Sequence, residues 1–304
     1  MKRLLDCTAS DFDQMNGQQL KQAIMASEGR TILAEVICSH QPFYPAVTNA
    51  ELAAAFGADM ILLNLFDVDH PRVEGVKSEG GEAIRKLKQL VGRPIGLNLE
   101  PVDTEALHLE QLQSLPQGRI ATKETLRKAK NLGFDFVCLT GNPKTGVSNR
   151  EITKAIGMAR SVFGQEGLIL AGKMHGAGVK GETGSSMMSE EVISSFVEAG
   201  ADVILIPSPG TIPGFTVEVA AALVDRVHAN GAIAILTTGT SQEGADEQTI
   251  KQIALNSKMA GADVYHIGDA GFTGIAIPEN IMAYSIAVRG KRHTYVRMAT
   301  SIRR

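Results

Sequence analysis

The sequence predicts a closed (β/α)₈ barrel, eight parallel strands alternating with helices, spanning residues 1–304 as one domain. Three observations carry this expectation. A glycine join between a helix end and a short apolar run recurs along the chain, in four strong copies. Weaker copies fall between them and bring the strand count to eight, with spacings of roughly 30 to 40 residues, one βα unit each. No second block of different composition interrupts the alternation. A doubly wound open sheet is the alternative that the same alternation allows.

Taken in order, residues 15–29 read as an extra helix inside an N-terminal segment, residues 1–30, that precedes the barrel. The first strand covers residues 31–38. Phe56-Gly57-Ala58-Asp59 then leads into the second strand, Met60 to Asn64, and Gly92-Arg93-Pro94 into the third, Ile95 to Leu99. Leu132-Gly133-Phe134-Asp135 leads into the fourth, and Gly167 precedes the fifth, Leu168 to Ala171. Gly200-Ala201-Asp202 introduces the sixth, Gly231 the seventh, and Gly261-Ala262-Asp263 the eighth. Each glycine suits a helix C-cap, where a left-handed backbone carries no Cβ penalty. The runs that follow are rich in branched apolar residues, as strands buried on both faces require. Thr48 to Glu51 and Ser148 to Glu151 match the capping box of a helix start. Residues 289–304 hold several Arg and Lys and no acid, and read as a basic, solvated or subunit-contacting tail.

Composition narrows the function classes. A net charge of −3 argues against a nucleic-acid partner held over a broad surface. Cys7, Cys38 and Cys138 form no metal or CxxC spacing, and an odd, sparse count suits a reducing cytoplasm. No run reaches membrane-spanning length. A cytoplasmic protein without membrane or nucleic-acid partners is expected, and the base rate for such proteins suggests a homo-oligomer.

In this fold the active site forms where the strands end, so polar residues there define the candidates. They are Glu35, Asn64, Asn98 and Glu100 from the first three strands, and Thr140 from the fourth. Lys173 and His175 close the fifth, Ser208 the sixth, and His266 stands in the eighth. A carboxylate among apolar strand residues must be paired, hydrogen-bonded or protonated. Glu35 and Glu100 are therefore either salt-bridged structural residues or general acids and bases. Lys173 is either their ion-pair partner or a lysine able to lose its proton and act as nucleophile or base. Asn64, Asn98, Thr140, His175, Ser208 and His266 are the expected substrate-orienting groups. Asp67 and Asp69, just beyond strand two, offer oxygen ligands for Mg²⁺ or Mn²⁺, against the plainer reading of a solvated acidic loop. The stretch Thr140 to Ser148 has glycines in a P-loop-like pattern, but Val147 stands where the lysine is needed, which excludes that reading.

Strands seven and eight run into Thr238-Gly239-Thr240 and Gly268-Asp269-Ala270-Gly271, loops small enough for backbone N–H groups to meet an anion. Over Gly231 to Gly274 the chain resembles the phosphate-binding barrel superfamily of sugar-phosphate isomerases, aldolases and flavin-mononucleotide enzymes. That resemblance implies a small phosphorylated substrate held at Thr238, Gly239, Thr240, Gly268 and Gly271. Two departures stand out: Asp269 would repel a dianion, and Thr237-Thr238-Gly239 replaces a Gly-Gly pair. The leading expectation is an aldolase-type lyase or isomerase acting on a sugar phosphate or keto acid, with Lys173, Glu35 and Glu100 catalytic. A lysine at a strand end is similar to class I aldolases. The acidic run at Asp67 is similar to the phosphoenolpyruvate mutase and isocitrate lyase group, which implies a metal-dependent alternative. A flavin-mononucleotide enzyme and a non-catalytic barrel that binds a phosphorylated metabolite are the remaining readings.

Overall fold

The computed structural model describes residues 2–78, 80–108 and 111–304. Its eight strands are β1 (Thr31–Ile37), β2 (Met60–Asn64), β3 (Ile95–Leu99), β4 (Phe136–Leu139), β5 (Leu168–Gly172), β6 (Val203–Pro207), β7 (Ile233–Thr238) and β8 (Val264–Ile267). All pair in parallel in sequence order, and β8 returns to β1 to close the barrel. This is the TIM-barrel architecture expected from the sequence. The ring of helices comprises α3 (Asn49–Ala55), α4 (Gly81–Val91), α5 (Lys123–Asn131), α6 (Asn149–Phe163), α7 (Glu190–Ala199), α8 (Val217–Ala229), α9 (Glu247–Met259) and α10 (Pro278–Ala299). Two short helices, α1 (Ala9–Phe12) and α2 (Gly17–Met25), precede β1. No helix among the described residues is long and apolar enough to cross a membrane.

Strand alternation divides the core into two bodies. Leu33, Leu62, Phe136, Cys138, Leu170, Val203, Ile235 and Val264 point inward and pack with Leu4, Phe12, Leu20 and Ile24. The N-terminal segment thus plugs the lower end of the barrel rather than lying beside it. Its approach is close: a Cβ on Gly17 would lie 2.4 Å from the Leu168 nitrogen. Ile61, Leu97, Val137, Ile169, Ile204, Leu236 and Ile267 point outward, against the helices.

The repeated joins have a common physical basis. Gly57, Gly133, Gly200 and Gly261 all adopt positive φ, at 106°, 83°, 113° and 92°. The aspartate that follows each one accepts the first free N–H of the preceding odd-numbered strand. Asp59 takes Ile32 (2.8 Å), Asp135 takes Ile95 (2.8 Å), Asp202 takes Ile169 (3.0 Å) and Asp263 takes Ala234 (2.8 Å). Each aspartate also meets a base: Arg289, Lys88, Arg160 and His228 respectively. Four ββ pairs are locked by one device, which is why the strong copies of the join fall at even-numbered strands.

The periphery adds detail at two places. Within residues 289–304, α10 continues to Ala299 and turns at Gly290, where φ is 76°, and Lys291, Arg292, Arg303 and Arg304 are exposed. Arg289 and Arg297 are buried and converge on Asp59 at 2.6 Å each. The capping box at Thr48 is complete. At Ser148 only half forms: its hydroxyl accepts the Glu151 N–H, while the Glu151 carboxylate pairs with Lys154.

Candidate functional site

The strands end in a cavity of about 390 Å³ at the C-terminal face. Inward alternation carries Glu35, Asn64, Asn98 and Thr140 onto its wall from four consecutive strands. The loops after β4, β5, β7 and β8 add Asn142 and Lys144, His175, Gly239 to Ser241 with Glu243, and Gly268 to Ala270.

Three amides and a carboxyl form one network there. Asn64 Nδ2 donates to Asn142 Oδ1 at 2.7 Å and to Asp269 Oδ2 at 2.9 Å. Asn142 and Asn98 donate in turn to Asn64 Oδ1, at 3.0 and 3.3 Å. These bonds hold their rotamers, and Glu100 fixes the loop after β4 by accepting the Asn142 backbone N–H at 3.0 Å. Groups fixed in this way lose little entropy when a ligand arrives.

The electrostatics are set by burial and by crowding of like charges. Glu35 is 3 % exposed, and desolvation raises its carboxyl to about 8, with Glu243 and Glu100 adding repulsion. Its neighbour at 3.0 Å is Nε2 of His266, whose imidazole is fully buried and pulled down to about 4. Burial thus favours the uncharged form of both groups, which share one hydrogen bond, while His266 Nδ1 has no hydrogen-bond partner. Asp269 is raised to about 7, by burial first and then by Glu35. Burial also raises Glu243, opposed by the Ala270 N–H that its Oε1 accepts at 3.0 Å. His175 is drawn down to about 4 by burial and by Lys173.

A test of this reading is the pH dependence of stability in Glu35→Gln. The folded chain holds on Glu35 a proton that the unfolded chain releases above its ordinary value. The group's contribution is full below that value and lost as pH rises through about 8. Glutamine has no such loss. Thermal melts should therefore match at acidic pH and separate in the variant's favour between pH 5 and 8, by on the order of a few kcal/mol. Parallel curves would remove the buried proton from the account.

The remaining sequence candidates lie elsewhere. Lys173 has the outward parity of Ile169 and Ala171. It is 1 % exposed, and its ammonium pairs with Glu182 rather than with Glu35 or Glu100. The Glu182 carboxylate also accepts the Asn149 N–H at the start of α6, which fastens the glycine-rich loop after β5 to the helical layer. Glu100 pairs with Arg119 behind the wall. Ser208 and Thr238 also face outward, where Thr238 bonds Ser208 Oγ (3.3 Å) and the Tyr284 hydroxyl (2.9 Å). His266 stands below the cavity floor, and Gly271 lies off the wall, against Ala276 and Ile277.

The expected two-loop phosphate cradle is half closed. The Gly268 N–H is used by the Thr238 carbonyl at 2.9 Å, and the Ala270 N–H by Glu243. A carboxylate of the chain stands where an anion would be gripped. Gly239 and Thr240 do reach the wall, but together with three carboxyls. Asp67 and Asp69 do not converge either: Asp67 Oδ1 accepts the Asp69 N–H, and Asp69 pairs with Lys128 at 2.7 Å. No group of three or more His, Cys, Asp or Glu among the described residues has metal-binding geometry.

The fold has solved counterparts at low identity. The carboxyl transferase domain of Rhizobium etli pyruvate carboxylase, solved with pyruvate, aligns with a TM-score of 0.55 at 10 % identity. That alignment covers 98 % of this chain and 52 % of the other. An archaeal fructose 1,6-bisphosphate aldolase aligns at 0.52 and 15 % identity, covering 86 % and 95 % of the two chains. A 2,3-dimethylmalate lyase of the phosphoenolpyruvate mutase/isocitrate lyase superfamily aligns at 0.50 and 11 % identity, covering 85 % and 81 %. These likenesses establish the barrel and no chemistry. No curated protein matches the sequence. A family model does match, over residues 5–304, and the chain belongs to that family, the domain of unknown function DUF7916.

Proposed function

We propose that this protein is an enzyme of the isomerase or lyase type that moves protons on a small hydroxy or keto compound held in the strand-end cavity. The observation that carries this reading is the convergence of Glu35, Glu243 and Asp269 on one strand-end cavity beside three amides. A carboxyl that titrates near the working pH is suited to both giving and taking a proton. Glu35 and Asp269 meet that condition, at about 8 and about 7.

In the step this supports, Asp269 removes a proton from the carbon next to a carbonyl. The C–H electron pair becomes a C=C bond, and the carbonyl oxygen takes the proton that Glu35 holds. Where that carbon bears a hydroxyl, Asp269 returns its proton to the former carbonyl carbon while the hydroxyl gives its own proton back to Glu35 and becomes the new carbonyl, which completes an isomerisation. A lyase reaction would begin instead at a hydroxyl one carbon further on. Asp269 takes its O–H proton, and that oxygen forms a carbonyl as the C–C bond breaks. The bond's electron pair forms an enediol whose oxygen takes the Glu35 proton. The proton on Asp269 then passes to the enediol carbon while the enediol hydroxyl returns its proton to Glu35. Asn64, Asn98 and Asn142 orient the substrate oxygens. His266 holds Glu35 in place and is itself kept neutral. Lys173 has no part in this reading, since its ammonium lies against Glu182 and off the wall.

The test is proton NMR of short hydroxyketones and keto acids incubated with the enzyme in D₂O. Deuterium entering the carbon next to the carbonyl supports the reading. Its absence across the set, with the protein folded, would overturn it.

A further inference from the structure

The cavity carries more carboxyl groups than a keto compound needs. Glu243 is the informative one. It is 2 % exposed and lines the cavity; Oε1 is satisfied by Ala270, and Oε2 has no partner. Thr140, 1 % exposed and on the same wall, likewise leaves its hydroxyl unpartnered. Buried polar atoms are ordinarily hydrogen-bonded, and an unpaired one facing a cavity marks where a ligand donor belongs.

We infer that the substrate is a small organic cation, an ammonium group carried on a hydroxy or keto compound, with its nitrogen seated against Glu243 and near Glu35 and Asp269. A neutral hydroxyl would satisfy the lone pair on Oε2. A cation also favours the ionised form of each of the three carboxyls, which burial and crowding otherwise keep protonated. The chain's own cation on this wall is Lys144, in the loop after β4. The inference rests on the cavity being the substrate site, as proposed above.

Three size-matched probes separate the charge classes: 1-amino-2-propanol as the cation, 1,2-propanediol as the neutral form, and lactate as the anion. Binding to the full chain is read by saturation-transfer NMR and calorimetry. The amine should bind at least about tenfold tighter than either, the scale of a hydrogen bond to a charged group. Glu243→Gln, which keeps an acceptor for Ala270, should remove that preference, and Glu35→Gln should weaken it. Amine affinity should also rise between about pH 6 and 8.5, as the facing carboxyls lose their protons. The groups that set this trend are Glu35 on β1, Glu243 after β7, and His266 and Asp269 on and after β8. Glu100 lies behind β3, and Lys144 and His175 come from the loops after β4 and β5.

Diol or lactate binding as tight as the amine, no amine binding, or a preference that survives Glu243→Gln would overturn the inference. The two readings fail separately. Amine preference without deuterium exchange on any compound would overturn the proton-transfer reading and leave this one standing. Exchange on a hydroxyketone without amine preference would do the reverse.

Discussion

Replacing Asp59 with alanine should cost about 3–5 kcal/mol, the range for removing one partner of a buried ion pair. Asp59 is fully buried at the plugged end of the barrel, where Arg289 and Arg297 reach it from α10. It also accepts the Ile32 N–H at the start of β1. Its loss would leave two buried guanidiniums without a counter-charge and one strand N–H without an acceptor. Arg93, already pushed down to about 10 by burial and by Arg297, lies in the same cluster. Nothing there can release the excess charge cheaply, since guanidinium does not deprotonate near neutral pH. Thermal melting should show a fall on the order of 10 °C at this chain length. Asp263→Ala, at the equivalent join, should cost much less, because its partner His228 is 42 % exposed and water can replace the contact. Similar melting for the two variants would show that the Asp59 cluster does not hold the barrel end together.

Asp269→Asn should slow deuterium exchange by about 10² to 10⁴, the usual contribution of a positioned general base. Asparagine is nearly isosteric, and its carbonyl oxygen can still accept from Asn64 Nδ2, as Asp269 now does at 2.9 Å. The variant therefore removes the titrating group while keeping the network. Its melting temperature should match or exceed the wild type above neutral pH, because a half-buried carboxyl raised to about 7 weighs against folding once it ionises. The measurement is the exchange rate of whichever compound in the set turns over, with melting as the control for folding. An unchanged rate would move the base to Glu243.

The barrel was legible in the sequence because its repeat is chemical as well as hydrophobic. The Gly–x–Asp joins mark both the left-handed helix caps and the aspartates that lock strand pairs. The site was legible only where strand parity is simple. Glu35, Asn64 and Asn98 alternate with apolar residues and reach the wall as expected. Lys173 was misplaced because its position at a strand end was read without its parity. Leu168 and Leu170 point inward, so Ile169, Ala171 and Lys173 point outward. The same rule turns Ser208 and Thr238 away from the cavity. Glu243 could not be found that way. It sits in a short turn after β7, and its placement depends on the Ala270 N–H of the neighbouring loop, a contact that has no local signature. In the basic C-terminal run, Lys291, Arg292, Arg303 and Arg304 are exposed, while Arg289 and Arg297 are buried, which the run itself does not signal. A charge cluster normally marks a solvated face, and only the closed barrel brings Arg289 and Arg297 to Asp59.

The central claim is that the cavity holds carboxyls poised to exchange protons near neutral pH. Carbon-13 NMR titration of the side-chain carboxyls tests it without any substrate. Two resonances should titrate near 7 to 8, one absent in Glu35→Gln and the other in Asp269→Asn. If every carboxyl titrates in the ordinary range, about 4, the cavity has no poised acid or base and the account fails.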